Sequence, residues 1–135
     1  MADWVSVVVA TVALVVALGT WYRSFRMSSY DAADAVLTDL MKLSIEHPEF
    51  RDPDYIRRAL DDSDPIVRYR YDAFAALVWN YLESLYNRFG ARGLVKSPFF
   101  GAFTALGQRH RAWVHRDDNF NKYPLELLKL LRAER

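Results

Sequence analysis

Three histidines, an aspartate-rich loop and a basic cluster hold the side chains whose types and spacing could do chemistry in this sequence. His110 and His115 stand five residues apart, so they do not share a helix face as an i, i+4 metal pair does. His47 is remote from both, and no HExxH-like spacing occurs. No metal site and no cofactor are expected, and His110 reads as a hydrogen-bonded core histidine on the apolar side of its helix. The loop holding Asp61, Asp62 and Asp64 lacks the central Gly and terminal Glu of an EF-hand, so helix capping is its expected work. Arg109, His110, Arg111, His115 and Arg116 would suit anionic lipid headgroups or an acidic partner. Asp117 and Asp118 follow directly, and cations near a helix C-terminus complement its dipole, which is the reading the cluster favours. No nucleophile elbow, no phosphate-cradling glycine loop and no outstanding pair of carboxylates is present, which points away from an enzyme.

Composition narrows the classes further. The chain has no cysteine, which removes disulfides, Cys-based zinc sites and thiol chemistry. All 18 Lys and Arg, and all but Asp3 of the 17 acids, lie beyond Tyr22, so that remainder carries a formal +2. A nucleic-acid binder usually shows a much stronger basic excess, so nucleic acid is not an expected partner. Aromatic residues make up 15% of the chain, enough to fill a core.

The elements that must position these residues begin with an anchor. Trp4 to Trp21 reads WVSVVVATVALVVALGTW, without a charge and with an indole at each end. As a helix it spans about 27 Å, close to the roughly 30 Å hydrocarbon thickness of a bilayer. Seven valines and two leucines fill Val5 to Leu18; at about −0.3 to −0.6 kcal/mol each they favour insertion by roughly 3 to 5 kcal/mol. Trp4 on one side, and Trp21 with Tyr22 on the other, fit the two interfacial aromatic belts. Ala17-Leu18-Gly19 resembles a signal-peptide cleavage site, but the leading Met-Ala-Asp lacks the basic n-region. A buried core helix is the other alternative, and a small chain rarely covers a run that is apolar on all faces. Arg23 and Arg26 follow the segment and no basic residue precedes it, so the positive-inside rule places the C-terminal side in the cytoplasm. Ser6, Ala10, Ala13 and Ala17 give small-xxx-small spacings, a possible helix–helix seam.

The expected organisation is a transmembrane anchor and juxtamembrane segment over 1–26, then a cytoplasmic helical domain over 27–135. Taking the first 26 from 135 residues leaves 109, one domain of ordinary size. A helix from about Ser29 to Glu46 ends at His47-Pro48, and the anchor either continues into it or bends at Ser28-Ser29. Asp52-Pro53 starts a short helix to Leu60, and Asp64 or Ser63 with Pro65 starts a long one to about Phe89. That helix carries the strongest periodic signal: Val67, Tyr71, Phe74, Leu77, Val78, Tyr81, Leu82, Leu85 and Phe89. Gly90 follows as a C′ glycine, and Ala91 to Lys96 reads as a turn. Ser97-Pro98 repeats the cap-plus-proline start for a helix to about His115. A last helix from about Tyr123 to Ala133 is expected to bury Leu125, Leu128 and Leu131, with Leu127 as a further candidate. No alternating strand pattern occurs, so the fold class is all-α: one N-terminal transmembrane helix followed by a small cytoplasmic helical bundle.

These parts together carry a resemblance. The anchor ending in Arg and aromatic residues, HPEFR at His47 to Arg51, WNYLESLY at Trp79 to Tyr86 and SPFFGAF at Ser97 to Phe103 resemble a bacterial family of small single-pass membrane-anchored helical proteins. The resemblance implies an all-helical cytosolic domain at a bacterial inner membrane and carries no activity with it. The functional expectation is a membrane-tethered interaction module, scaffold or small subunit of a membrane complex. Its expected partners are the lipid bilayer and a protein, with homo-oligomer formation as a further possibility. The alternative is a membrane-perturbing stress or defence effector that self-associates through its anchor. Tyr69, Tyr86, Phe100 and Phe120 fall off the main stripes, as does Trp79; Trp79, Tyr86 and Phe100 are the candidate docking residues.

Overall fold

The computed structural model describes residues 2–61, 64–116, 118, 119 and 121–132, with the side chains of Ala2, Asp3 and Val5 left aside. The chain is all-α, and no strand occurs among the described residues. It divides into two compact units, Met1–Ala35 and Val36–Arg135, and the division falls inside the first helix. That helix, α1, runs from Ala2 to Glu46 without a break at Ser28-Ser29.

In the first unit the sequence dictates a helix apolar on every side, and each described side chain from Ser6 to Ser28 is exposed. Two of its hydroxyls are satisfied internally: Thr11 donates to the Val7 carbonyl and Thr20 to that of Val16, both at 2.8 Å. A hydroxyl folded back on the i−4 carbonyl leaves no donor seeking water.

The second unit is built around α3, Pro65–Val95, which packs against α2, α4, α5 and α6. At Pro48, Pro53 and Pro65 the proline punctuation works as read from the sequence. His47-Pro48 ends α1 and opens a 3₁₀ turn, Pro48–Arg51. Asp52 then caps α2, Pro53–Leu60, by accepting from the Asp54 N–H at 2.9 Å. Asp64 caps α3 by accepting from Ile66 and Val67 at 2.9 and 3.2 Å. Ser63, the other candidate cap, lies outside the described residues, as do Asp62, Asp117, Phe120 and Ala133.

Four boundaries differ from the sequence reading. Gly90 has φ 65 and ψ 168, a region open essentially to glycine alone. It breaks α3, yet the backbone resumes helical geometry to Val95 instead of forming a plain turn. Ser97 caps nothing ahead of it: its hydroxyl donates back to the Leu94 carbonyl at 2.7 Å, closing α3. The expected helix to His115 is two pieces, α4 (Phe100–Arg109) and α5 (Arg111–Val114), because the His110 carbonyl accepts from the Trp79 indole. The last helix, α6, is only Leu125–Leu130, since Tyr123 precedes a proline and is held out of the α region. Leu125 is exposed there, while Leu127, Leu128 and Leu131 are buried.

The core of this unit is aromatic. Phe50 of the 3₁₀ turn stacks on Phe74 of α3 at 4.4 Å between centroids and meets Tyr55 edge-on at 6.0 Å. Offset stacking and edge contact suit ring quadrupoles and add to the area buried. α6 is brought close to α4 at Gly107, where an added Cβ would stand 2.6 Å from Leu131 methyl carbons. Gln108 closes the same junction by donating to the Leu131 carbonyl at 2.6 Å.

Candidate functional site

The polar groups that folding brings together form three sites around α3. The first centres on His110, which is buried. Its Nδ1 shares a 3.0 Å hydrogen bond with the Tyr71 hydroxyl, and Phe74 presents an edge-on ring 5.4 Å from its own. The Trp79 indole N–H donates to the His110 backbone carbonyl at 3.1 Å. Burial pulls the imidazole down to about 4, with the neighbouring Arg109 charge adding to it. The same burial raises Tyr71, and the Asp72 charge acts in the same direction. A neutral imidazole and a protonated phenol in one dry pocket form a structural clasp between α3 and the α4–α5 junction, as expected for a core histidine.

The second site is a shared acceptor at Asp72. Its Oδ1 accepts from the Trp113 indole at 2.9 Å and from Arg116 at 3.1 Å, while Arg68 lies 3.5 Å from Oδ2. Asn119 donates to the Trp113 carbonyl at 3.1 Å, and Tyr123 donates to Asn80 at 3.0 Å. Nothing in the sequence singles out Asp72, because the partners of its Oδ1, Trp113 and Arg116, lie more than forty positions away. The basic cluster read from the sequence is thereby divided. Arg116 serves Asp72, Arg111 Nε approaches His115 Nε2 at 3.4 Å, and Arg109 stays exposed.

A third polar group gathers where α1 ends. Arg70 donates to Glu49 at 3.0 Å and lies 3.3 Å from His47 Nδ1, which is itself 3.3 Å from Glu49. The Glu49 carboxyl is held below its ordinary value by its backbone N–H first, with His47 and Arg70 adding. HPEFR thus acquires a structural meaning: Phe50 enters the core while His47 and Glu49 tie the turn to α3.

The residues proposed at a membrane interface all lie on α1 and are exposed: Trp4 at 64% and Trp21 at 66%, with Tyr22, Arg23 and Arg26 alongside. Trp21 stacks on Phe25 at 6.0 Å. Ser6, Ala10, Ala13 and Ala17 are exposed too. Ala13 and Ala17 line a shallow, wholly apolar groove with Val8, Val9, Val12 and Val16. The docking candidates fare differently. Trp79 is 0% exposed, wedged against Tyr123 at 5.5 Å and bonded to His110, so it is a core residue and not a docking residue. Tyr86 and Phe100 are half-buried, and Phe100 stacks on Phe103 at 6.1 Å. The large apolar side chains that α3 leaves in the open are Ile66, Tyr69, Leu77 and, at its end, Val95.

No protein-family model, curated protein or solved structure matches the chain. The functional reading therefore stands on the chain's own chemistry. Among the described residues no three His or acidic side chains are grouped to hold a metal ion. One helix among the described residues, near the N-terminus, is long and apolar enough to cross a membrane.

Proposed function

We propose that this protein is a membrane-tethered helical interaction module, a scaffold or small subunit of a complex in a bacterial inner membrane, with its C-terminal unit in the cytoplasm. The observation that carries the reading is the stretch Trp4–Trp21: uncharged, flanked by indoles, and with its described side chains turned outward. An apolar surface on all sides of a helix is stable only in an apolar medium. The basic residues Arg23 and Arg26 after it support the orientation.

Binding, not catalysis, is the proposed work of the second unit. Its support is the exposed row Ile66, Tyr69 and Leu77 at i, i+3 and i+11 on α3, which faces solvent through helical spacing. The test has two parts. The full chain should resist extraction from membranes by alkaline carbonate, and a reporter active only outside the cytoplasm should be silent when fused after Arg135. Tyr69→Asp and Leu77→Asp should then lose co-purifying protein, or change the mass of the detergent-solubilised particle, with melting unchanged. Extraction by carbonate, or reporter activity, would overturn the anchor or its orientation. Retention of every partner, or turnover of a substrate by the purified chain, would overturn the interaction reading.

A further inference from the structure

We propose that the cleft bounded by the 3₁₀ turn, α2 and the end of α4 binds a phosphate monoester. The cleft has a volume of about 370 Å³ and draws three arginines from separate elements: Arg51, Arg57 and Arg109. Arg51 closes the 3₁₀ turn, Arg57 lies on α2, and Arg109 is the last residue of α4. Nothing in their sequence spacing links them; folding alone brings them to one concavity.

The charge there is unbalanced. Arg57 is matched by Asp54 at 2.8 Å, and Asp61 is the only acid in the lining among the described residues. The side chains of Arg51 and Arg109 make no ion pair or hydrogen bond among the described residues. Gathering like charges around a concavity is unfavourable unless an anion occupies it. Two free guanidinium groups supply paired N–H donors that match phosphate oxygens, geometry a lysine could not provide.

The rest of the lining describes the remainder of the ligand. Pro53, Ile56 and Leu60 give an apolar floor, and Ile56 is buried. Asp61, on the rim, can accept from a hydroxyl or amino group carried beside the phosphate. The combination fits a small phosphorylated polyol with some carbon surface, free or as the headgroup of an anionic lipid. The site does not depend on the anchor, so it stands or falls apart from the membrane reading.

The experiment uses the full chain. In detergent micelles, glycerol 3-phosphate is titrated against it while backbone amide resonances are followed, with glycerol as the uncharged control. In a second arm the chain is reconstituted in phosphatidylcholine nanodiscs with and without phosphatidic acid, which carries the same phosphate monoester. Saturable shifts at Arg51, Arg57 and Arg109 are expected, in the first arm for a soluble ligand or in the second alone for a headgroup. Arg51→Ala with Arg109→Ala should weaken binding at least tenfold. The paired lysine variants should fall between, since they keep charge and lose the fork. Arg92→Ala, at an exposed position outside the cleft, should bind as the parent does. Absence of saturation in both arms, or equal weakening by Arg92→Ala, overturns the proposal.

Discussion

α1 and α3 are both long helices rich in apolar residues, and they use them in opposite ways. From Ser6 to Thr20, α1 is built of Val, Leu and Ala with scattered Ser, Thr and Gly, and none of it is covered. α3 alternates a broad aromatic and aliphatic side with an outer side holding Arg70, Asn80 and Arg88, and it buries Tyr71, Phe74, Val78, Trp79, Leu82 and Leu85. A helix with one wet side can be covered by a small protein on the other. A helix that is dry all round needs an apolar medium on every side, and on the proposed reading that medium is lipid. The polar atoms follow the same division. In the first stretch Thr11 and Thr20 bond locally to their own helix, whereas the polar side chains of α3 bond across tens of residues.

The sharpest way to break the contrast is to charge the first helix. Val9→Asp with Val12→Arg should cost insertion about 5 to 7 kcal/mol, exceeding the roughly 3 to 5 kcal/mol that favours it. The doubly substituted chain should appear in the soluble fraction or be degraded, as followed by fractionation and immunoblot. Unchanged membrane retention would mean that α1 does not depend on lipid.

The converse change empties the core of the second unit. Phe74→Ala removes a ring packed between Phe50 and His110, and should destabilise that unit by about 3 to 5 kcal/mol. Denaturant unfolding of the full chain in detergent, read by tryptophan fluorescence, measures it. A parent-like midpoint would remove α3 from the centre of the fold.

A smaller effect should appear with pH. The His110 imidazole titrates near 4 in the folded unit against an ordinary value of 6.5. Between those values the unfolded chain binds the extra proton, so stability rises with pH across that window. Lowering pH from 6.5 to 5 should cost about 2 kcal/mol, and below about 4 the loss from this group levels off. Replacing His110 with Gln should flatten that slope. A slope that survives the replacement would assign it to the carboxylates instead.

The least disruptive substitution is Gly90→Ala. Nothing lies within 4 Å of the Cβ it would add, so only the backbone opposes it. At φ 65 and ψ 168 the strain should be about 1 to 3 kcal/mol. A melting temperature equal to the parent's would show that the break in α3 relaxes freely.

The sequence by itself determined what depends on neighbouring residues. The all-helical class, the uncovered first helix, the stops at His47-Pro48 and the starts at Asp52-Pro53 and Asp64-Pro65 are short-range consequences of capping, proline geometry and composition. His110 as a bonded core residue was legible from its place on an apolar stripe.

The face read on α3 is buried at Tyr71, Phe74, Val78, Tyr81, Leu82 and Leu85, but tertiary structure decided the edges of the buried arc, because four other helices pack around it. Hence Trp79 is core although it flanks the periodic face, while Leu77 and Leu125, on their stripes, remain exposed. It also decided the division of α4 from α5, where one carbonyl faces an indole thirty-one residues away. The joining of Arg51, Arg57 and Arg109 around one cleft has the same character. Local propensity acts over a few residues. The partner that buries a ring or brings guanidinium groups together is chosen by how the helices pack.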